Sequence, residues 1–409
     1  ANANTSGGLD STSRWDEAES AVTIASAYDV KVHLCVTNFD SDELDTILSS
    51  STIRNKLISE LKDWQDQTGV DGINIDFEGL PSSVKQEMVT FTEDLADEVG
   101  EVVLATPAVD WNGSWDFDEL AKHAHMFIMG YAYHYSGSSQ AGPNDPLYGG
   151  DPWSKYALDW SVEDYTNPSY GAPADKIILG LPLYGFRWSV SSNTIPATAT
   201  STGSSIFYAE ALAEAQTHGE LWESNSETPY WYDGSRQGWY SNEESIELRI
   251  QYAQSESLGG IGFWALHYDD GDSDLWNMIH EETTDEVIDP GDDDDDDDGP
   301  VYSDDYQADA GQPFLAYVGD TIMLSGEGSL GPDGIEIHYE WTQIEGPEAT
   351  LTDADSATPT FVIETAGVTV FELMVGNGEV FSQPDRSHVV VLDPDAGRRH
   401  RGSCSCNFG

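Results

Sequence analysis

Two carboxylates, Asp76 and Glu78, close the run Asp71-Gly72-Ile73-Asn74-Ile75-Asp76-Phe77-Glu78, and a turn of Gly79, Leu80 and Pro81 follows at once. Polar and apolar residues alternate along this run, the period of a half-buried β-strand. In a strand Asn74, Asp76 and Glu78 share one face, and Ile73, Ile75 and Phe77 take the other. Neighbours on one face lie roughly 6.5–7 Å apart, close enough for two carboxylates to work on one substrate. Partial burial and a charged neighbour lift the pKa of a carboxylic acid towards neutrality, where it can donate a proton. Cleavage of a glycosidic bond needs that proton for the leaving oxygen, together with stabilisation of positive charge at the anomeric carbon.

Such a pair needs a scaffold, and the pattern of the first two-thirds of the chain supplies one. Helical periodicity over Trp15–Tyr28 leads into a strand at Lys31–Asn38, and a helix at Thr52–Gln67 precedes the motif strand. A helix at Ser82–Val99 and strands at Val102–Pro107 and Met126–Ala132 come next. A helix at Lys155–Tyr165, a strand at 176–183 and an insertion near 184–241 follow, then a helix at Glu243–Ser255, a strand at 259–266 and a helix at Asp274–Glu281. Strands alternating with helices predict a parallel α/β sheet. In a barrel of parallel strands the active site opens at the C-terminal strand ends, where Glu78 stands.

The motif resembles the D-G-x-D-x-D-x-E signature of glycoside hydrolase family 18, the chitinase family, with Asn74 in place of the second aspartate. That asparagine is similar to the variant in relatives that act on spore-cortex and cell-wall glycans. Phe127-Ile128-Met129-Gly130-Tyr131-Ala132 resembles the family's sixth strand, which normally ends M-x-Y-D. The stretch from Lys176 to Trp188 resembles the seventh strand, and that from Gly259 to Asp270 the eighth. Tyr230 to Arg249 resembles the end of the small α+β insertion and its following helix.

The resemblance implies a (β/α)8 TIM-type barrel lacking its first two strands, with the catalytic domain over 1–287 and the insertion at about 184–241. Six strands would leave two open edges, and residues 1–14 are too short and too rich in Gly and Ser to replace two βα units, so the chain reads as part of a longer protein. The resemblance further implies substrate-assisted retaining catalysis, in which the 2-acetamido group of the sugar is the nucleophile. Glu78 would be the general acid and base, Asp76 would orient the acetamido N–H, and Tyr131 would donate its hydroxyl to the acetamido oxygen. With Asn74 beneath it, Asp76 is expected to stay ionised more readily. Trp264 matches the tryptophan that floors the reacting subsite. Asn74, Met129 and Arg187 fall at substrate-binding positions, although Arg187 also suits a structural ion pair. Trp111, Trp115 and Trp153 sit in βα-loop positions where sugars could stack, and Trp111 is taken as a binding residue. Ala132 departs from the family, which usually places Asp there; His134, in an exposed loop, could compensate in part.

Composition narrows the partners. Acidic residues number 75 against 16 basic ones, for a formal charge of −59. Nucleic acid and anionic membranes, which need clustered Lys and Arg, are excluded as partners. A surface so rich in carboxylate suits high ionic strength, as in a marine or halophilic source. No segment is long and apolar enough to span a membrane. Cys35 reads as a buried core thiol, and Cys404 and Cys406 fall in a tail. His33, His123, His125 and His267 lack metal-ligand spacing, so neither metal nor cofactor is expected.

Asp289-Pro290-Gly291 and the seven aspartates Asp292–Asp298 read as an extended acidic linker over 288–306 rather than a calcium site. From 307 to 395 short alternating strands separated by turns predict an immunoglobulin-like β-sandwich. It resembles a PKD-type domain, with Trp341 in its core and a spacer's role; residues 396–409 read as a disordered tail. Two functional readings remain open. One is a secreted or cell-surface hydrolase of β-1,4-linked N-acetylglucosamine polymers, either chitin or peptidoglycan. The other is a glycan-binding lectin on a worn catalytic scaffold, which Ala132 favours; an adhesion module is a third, weaker reading. Oligomeric state is not legible in the sequence.

Overall fold

The computed structural model describes residues 1–26, 28, 30–283 and 301–392, except 304, 312, 313, 333, 334, 336 and 379. The chain divides into two compact units. One comprises Ala1–Trp15, His33–Gln67 and Asp71–Val287, the other Asp16–Val32, Thr68–Val70 and Ile288–Gly409. The helix expected over 15–28 is shorter than its periodicity implied: a 3-10 turn spans Thr12–Glu17, the α-helix spans Ala18–Ser26, and that helix belongs to the second unit.

The first unit is built on six parallel strands, His33–Asn38, Gly72–Phe77, Glu101–Pro107, His125–Met129, Ile177–Pro182 and Gly260–Trp264, paired in chain order. Residues 1–14 supply no βα unit, but they do add two short strands to the six expected. Asn2–Ala3 pairs parallel with His33–Asn38, and Leu9–Asp10 pairs antiparallel with Asn2–Ala3. Two-residue strands suffice because backbone and side-chain groups together make the join, the Asn38 side-chain amide donating to the Ala3 carbonyl at 2.9 Å. The Ala1 ammonium donates to the Cys35 carbonyl at 2.9 Å, and the Thr37 N–H donates to the Ala1 carbonyl at 2.8 Å. The result is an eight-stranded sheet with Gly260–Trp264 at one edge and Leu9–Asp10 at the other, and these two strands do not pair.

The motif strand lies inside this sheet. Ile73, Ile75 and Phe77 are fully buried. Phe77 stacks on Phe91 with ring centroids 5.9 Å apart. Phe91 belongs to the helix Lys85–Val99, which buries Met88, Phe91, Thr92, Leu95 and Val99 at helical spacing. Each such apolar side chain is worth about 1.5–3 kcal/mol when removed from water. Inside the sheet, Gly180 and Gly262 make room for the Phe127 ring: a Cβ at either position would come within 2.4 Å of it. The insertion is a five-stranded antiparallel sheet, from Tyr184–Ser189 to Arg236–Trp239, carrying the helix Tyr208–His218 and burying Trp188, Trp231 and Trp239.

In the second unit, His338–Glu345, Gly367–Gly376 and Asp385–Leu392 form the centre of a six-stranded sheet, and Thr321–Met323 pairs with Thr360–Val362. Trp341 is buried among Phe361, Phe371 and Leu373, and its indole N–H donates to the Ser356 carbonyl at 3.2 Å. It is a core residue. The aspartate run Asp292–Asp298, Cys404, Cys406 and the tail lie outside the described residues. None of the described helices is long and apolar enough to cross a membrane.

Candidate active site

Alternation along the motif strand sends Asn74 and Asp76 to the face opposite its buried isoleucines. Glu78 follows directly after the strand, and its backbone N–H donates to the Asn38 carbonyl at 3.0 Å, which extends the pairing by one residue. Gly79 then turns the chain with φ +72°, a left-handed conformation that glycine adopts without steric cost.

The two carboxylates have different surroundings. Asp76 is 8% exposed, and its Oδ1 is buried without a hydrogen-bond partner. Burial, with the Glu78 charge adding to it, pushes the Asp76 carboxyl up to about 6. Glu78 is exposed at the strand end, and partial burial alone raises its carboxyl above the ordinary value. The expectation that Asp76 stays ionised more readily is therefore corrected. Asn74 does remove one carboxylate from beneath it, but desolvation and Glu78 disfavour its charge by themselves.

Asn74 donates from Nδ2 to the Cys35 Sγ at 3.3 Å. This also corrects the reading of Cys35 as a core thiol. Its strand places Leu34 and Val36 in the core and aligns Cys35 with Asn74, so the thiol is only partly buried.

Tyr131 stands two residues beyond the strand His125–Met129. Burial raises its phenol far above the ordinary value, and the charges of Asp76 and Glu78 act on it in the same direction. Its ring meets Tyr184 edge to face, with centroids 5.9 Å apart. Tyr184, which begins the insertion just after the strand Ile177–Pro182, is likewise raised by burial and feels Glu78. Asp76, Glu78, Tyr131 and Tyr184 thus form one electrostatic group at the C-terminal ends of the parallel strands. Met129 is half-buried at the end of its strand, in register with Pro107 and Gly180. Trp264 ends its own strand, is 49% exposed, and precedes a cis peptide bond to Ala265.

The remaining expected residues differ in their surroundings. Arg187 pairs with Glu210 at 2.9 Å and Glu214 at 2.7 Å on the insertion, the structural alternative its sequence position left open. Trp111 is 70% exposed and packs edge-on against Tyr156 at 4.6 Å. Trp115 and Trp153 are buried rather than presented to a groove. Trp153 donates its indole N–H to Glu223 at 2.6 Å and packs against Trp239, so it serves the insertion's core. His134 is not an exposed loop residue: its Nδ1 lies 3.0 Å from the Pro143 carbonyl, its ring packs on Trp153, and burial lowers its pKa.

Sequence reasoning missed Asn144 and Tyr184. Asn144 is fully buried and bonds both the Ala132 N–H and the Tyr184 carbonyl. The only signal for it was its place in the polar loop after Tyr131. Among the described residues, no group of three or more His, Cys, Asp or Glu could hold a metal ion.

A family model described as "Glycosyl hydrolases family 18" matches residues 2–269. A probable endochitinase of Caenorhabditis elegans is 28% identical over 257 residues, covering 54% of this chain and 41% of the relative. The putative sporulation-specific glycosylase YdhD of Bacillus subtilis is 26% identical over 245 residues, covering 56% of this chain and 54% of the relative. This chain therefore spans about half the length of those relatives. Among solved structures, a GH18 chitinase from Cycas revoluta in complex with (GlcNAc)3 superposes with a TM-score of 0.61. It covers 69% of this chain and 90% of that one at 20% identity, a likeness of fold. With a match over 2–269 and acidic residues gathered at the strand ends, the chain belongs to glycosyl hydrolases family 18.

Proposed function

We propose that this chain hydrolyses β-1,4-linked N-acetylglucosamine polymers, chitin or peptidoglycan, with retention of configuration and with the substrate's own acetamido group as nucleophile. The observation that carries the reading is the Asp76 carboxylate oxygen, buried and without a donor, on the same strand face as a raised Glu78. A buried acceptor left unbonded costs about 1–3 kcal/mol, and an acetamido N–H would satisfy it.

In this reading Glu78 gives its proton to the glycosidic oxygen as the acetamido oxygen attacks the anomeric carbon and the leaving sugar departs. The resulting oxazolinium carries positive charge beside Asp76, whose anion stabilises it. The Tyr131 hydroxyl donates to the acetamido oxygen, and the Trp264 face receives the sugar's C–H groups. Glu78, now a carboxylate, takes a proton from water as that water opens the oxazolinium, which regenerates the acid and restores the original configuration. The relatives' names, an endochitinase and a sporulation glycosylase, fit both candidate polymers. The sandwich, in this proposal, is a PKD-like spacer, and the protein works outside the cell or on its surface.

One observation favours a second reading, a lectin. Ala132 occupies the position where the family usually has an aspartate against the acetamido group, and alanine supplies neither charge nor acceptor. Incubating the chain with chitin oligomers and with muropeptides, followed by mass analysis, separates the two. Products that vanish in Glu78→Gln support the hydrolase; tight oligomer binding without products supports the lectin.

A further inference from the structure

Between Tyr131 and Tyr184 stands a side chain that no part of the mechanism above uses. Asn144 is 0% exposed, and each end of its amide is engaged. Its Oδ1 accepts the Ala132 N–H at 2.8 Å, and its Nδ2 donates to the Tyr184 carbonyl at 3.0 Å. Its backbone carbonyl also accepts the Tyr133 N–H at 3.0 Å. The residue therefore ties the segment after one parallel strand to the segment after the next, at the two points that carry the site tyrosines.

The clamp itself is anchored. The next residue, Asp145, is fully buried and pairs with the fully buried Arg249 at 2.7 Å. Ser241 donates its hydroxyl to both Asp145 carboxylate oxygens, and Arg249 also holds the Asp145 carbonyl from Nε and Nη2. A buried ion pair with this many bonds has few alternative arrangements. Asn144 accordingly has little freedom to follow a drifting partner. Ala132, whose N–H it holds, adopts φ +62°, a conformation alanine does not choose unaided.

We propose that Asn144 is a positioning residue: by fixing the Ala132 N–H and the Tyr184 carbonyl together it sets the edge-to-face contact of Tyr131 and Tyr184 at the strand ends, and so sets the reactivity of the two carboxylates there without touching substrate. The inference rests on the hydrolase reading for its effect on rate, but its geometric content does not. Releasing the clamp lets the two rings separate and admits water to Asp76, whose raised pKa is first of all a consequence of burial.

Two variants test it, Asn144→Ala, which removes both bonds, and Asn144→Ser, whose shorter side chain cannot span both partners. The first readout is the carboxyl titration of Asp76 by carbon-13 NMR, which needs no turnover. The expected result is a midpoint lowered by about one unit or more towards the ordinary carboxylate value, because the added solvation favours the anion. The second readout is kcat and KM on chitin oligomers. A fall in kcat of about tenfold or more, with KM moved much less, is expected when catalytic groups are displaced by a fraction of an ångström.

An unchanged Asp76 midpoint in a folded variant overturns the proposal. So does failure of both variants to fold, which would assign Asn144 to the fold alone. If the wild-type chain turns over neither chitin nor muropeptides while the midpoint shifts as stated, the positioning role stands and the hydrolase reading falls.

Discussion

Asp76 and Glu78 occupy one strand face two residues apart, and it is the inner of the two, Asp76, that burial pushes up to about 6. In the unfolded chain the same carboxyl titrates near its ordinary value of 3.8. Between those values the native state holds a proton that the unfolded state has released, so this group's contribution to stability falls as pH rises through that window. Above it the folded protein carries the whole penalty, up to about 3 kcal/mol. Asp76→Asn is therefore expected to stabilise the chain by about 1–3 kcal/mol at pH 7 and by little at pH 3.5. Urea denaturation at the two pH values checks this, and equal effects at both would refute it.

In the proposed reaction the same carboxyl shapes the rate. If Asp76 must be anionic to stabilise the oxazolinium, kcat/KM falls on the acid side with a midpoint near 6. The limb should carry a single proton, because Asn74 replaces the carboxylate that would otherwise share one. A two-proton limb would contradict the assignment.

Ala132 holds φ +62° with an exposed side chain. A left-handed alanine costs about 1–2 kcal/mol, so Ala132→Gly is expected to raise stability by about 1 kcal/mol. Aspartate tolerates that conformation better than most residues, so Ala132→Asp should fold as well as the parent. A rise in kcat in that variant, assayed on chitin oligomers, would measure what the alanine costs the reaction.

Asp145 and Arg249 form the buried ion pair behind the site. Truncating one partner leaves the other charged and unpaired, at a typical cost of about 3–5 kcal/mol. Asp145→Ala or Arg249→Met should each lower the urea midpoint accordingly, and the double variant should lose less than the sum of the two.

A formal charge of −59 predicts that salt stabilises the chain. Raising ionic strength from 0.1 M to 1 M shortens the screening length from about 10 Å to about 3 Å. Tm should rise over that range, and a flat or falling Tm would count against self-repulsion as a limit on stability.

The motif strand and the alternation of strands with helices were legible because both are local patterns: the period along 71–78 fixes which residues face inward. Cys35 was misassigned because an apolar run hides its own alternation, and only the register with Asn74 reveals that this thiol faces the site. Trp115, Trp153 and His134 were misjudged because loop position says nothing about what a neighbouring module buries; Trp153 is claimed by Glu223, seventy positions away. Asn144 was invisible for the same reason, since its two partners are separated by some fifty residues and meet only in the folded sheet. The short strands at 2–3 and 9–10 escaped detection because two residues carry no period at all.

The motif strand Gly72–Phe77 has four parallel strands on one side, starting with Glu101–Pro107, and His33–Asn38 followed by two short strands on the other. A scaffold arranged this way separates its rim from its working centre. Segments could be grafted onto or trimmed from either border while Glu78 stays registered by its backbone bond to Asn38. Redesign of such a fold would begin at the margins.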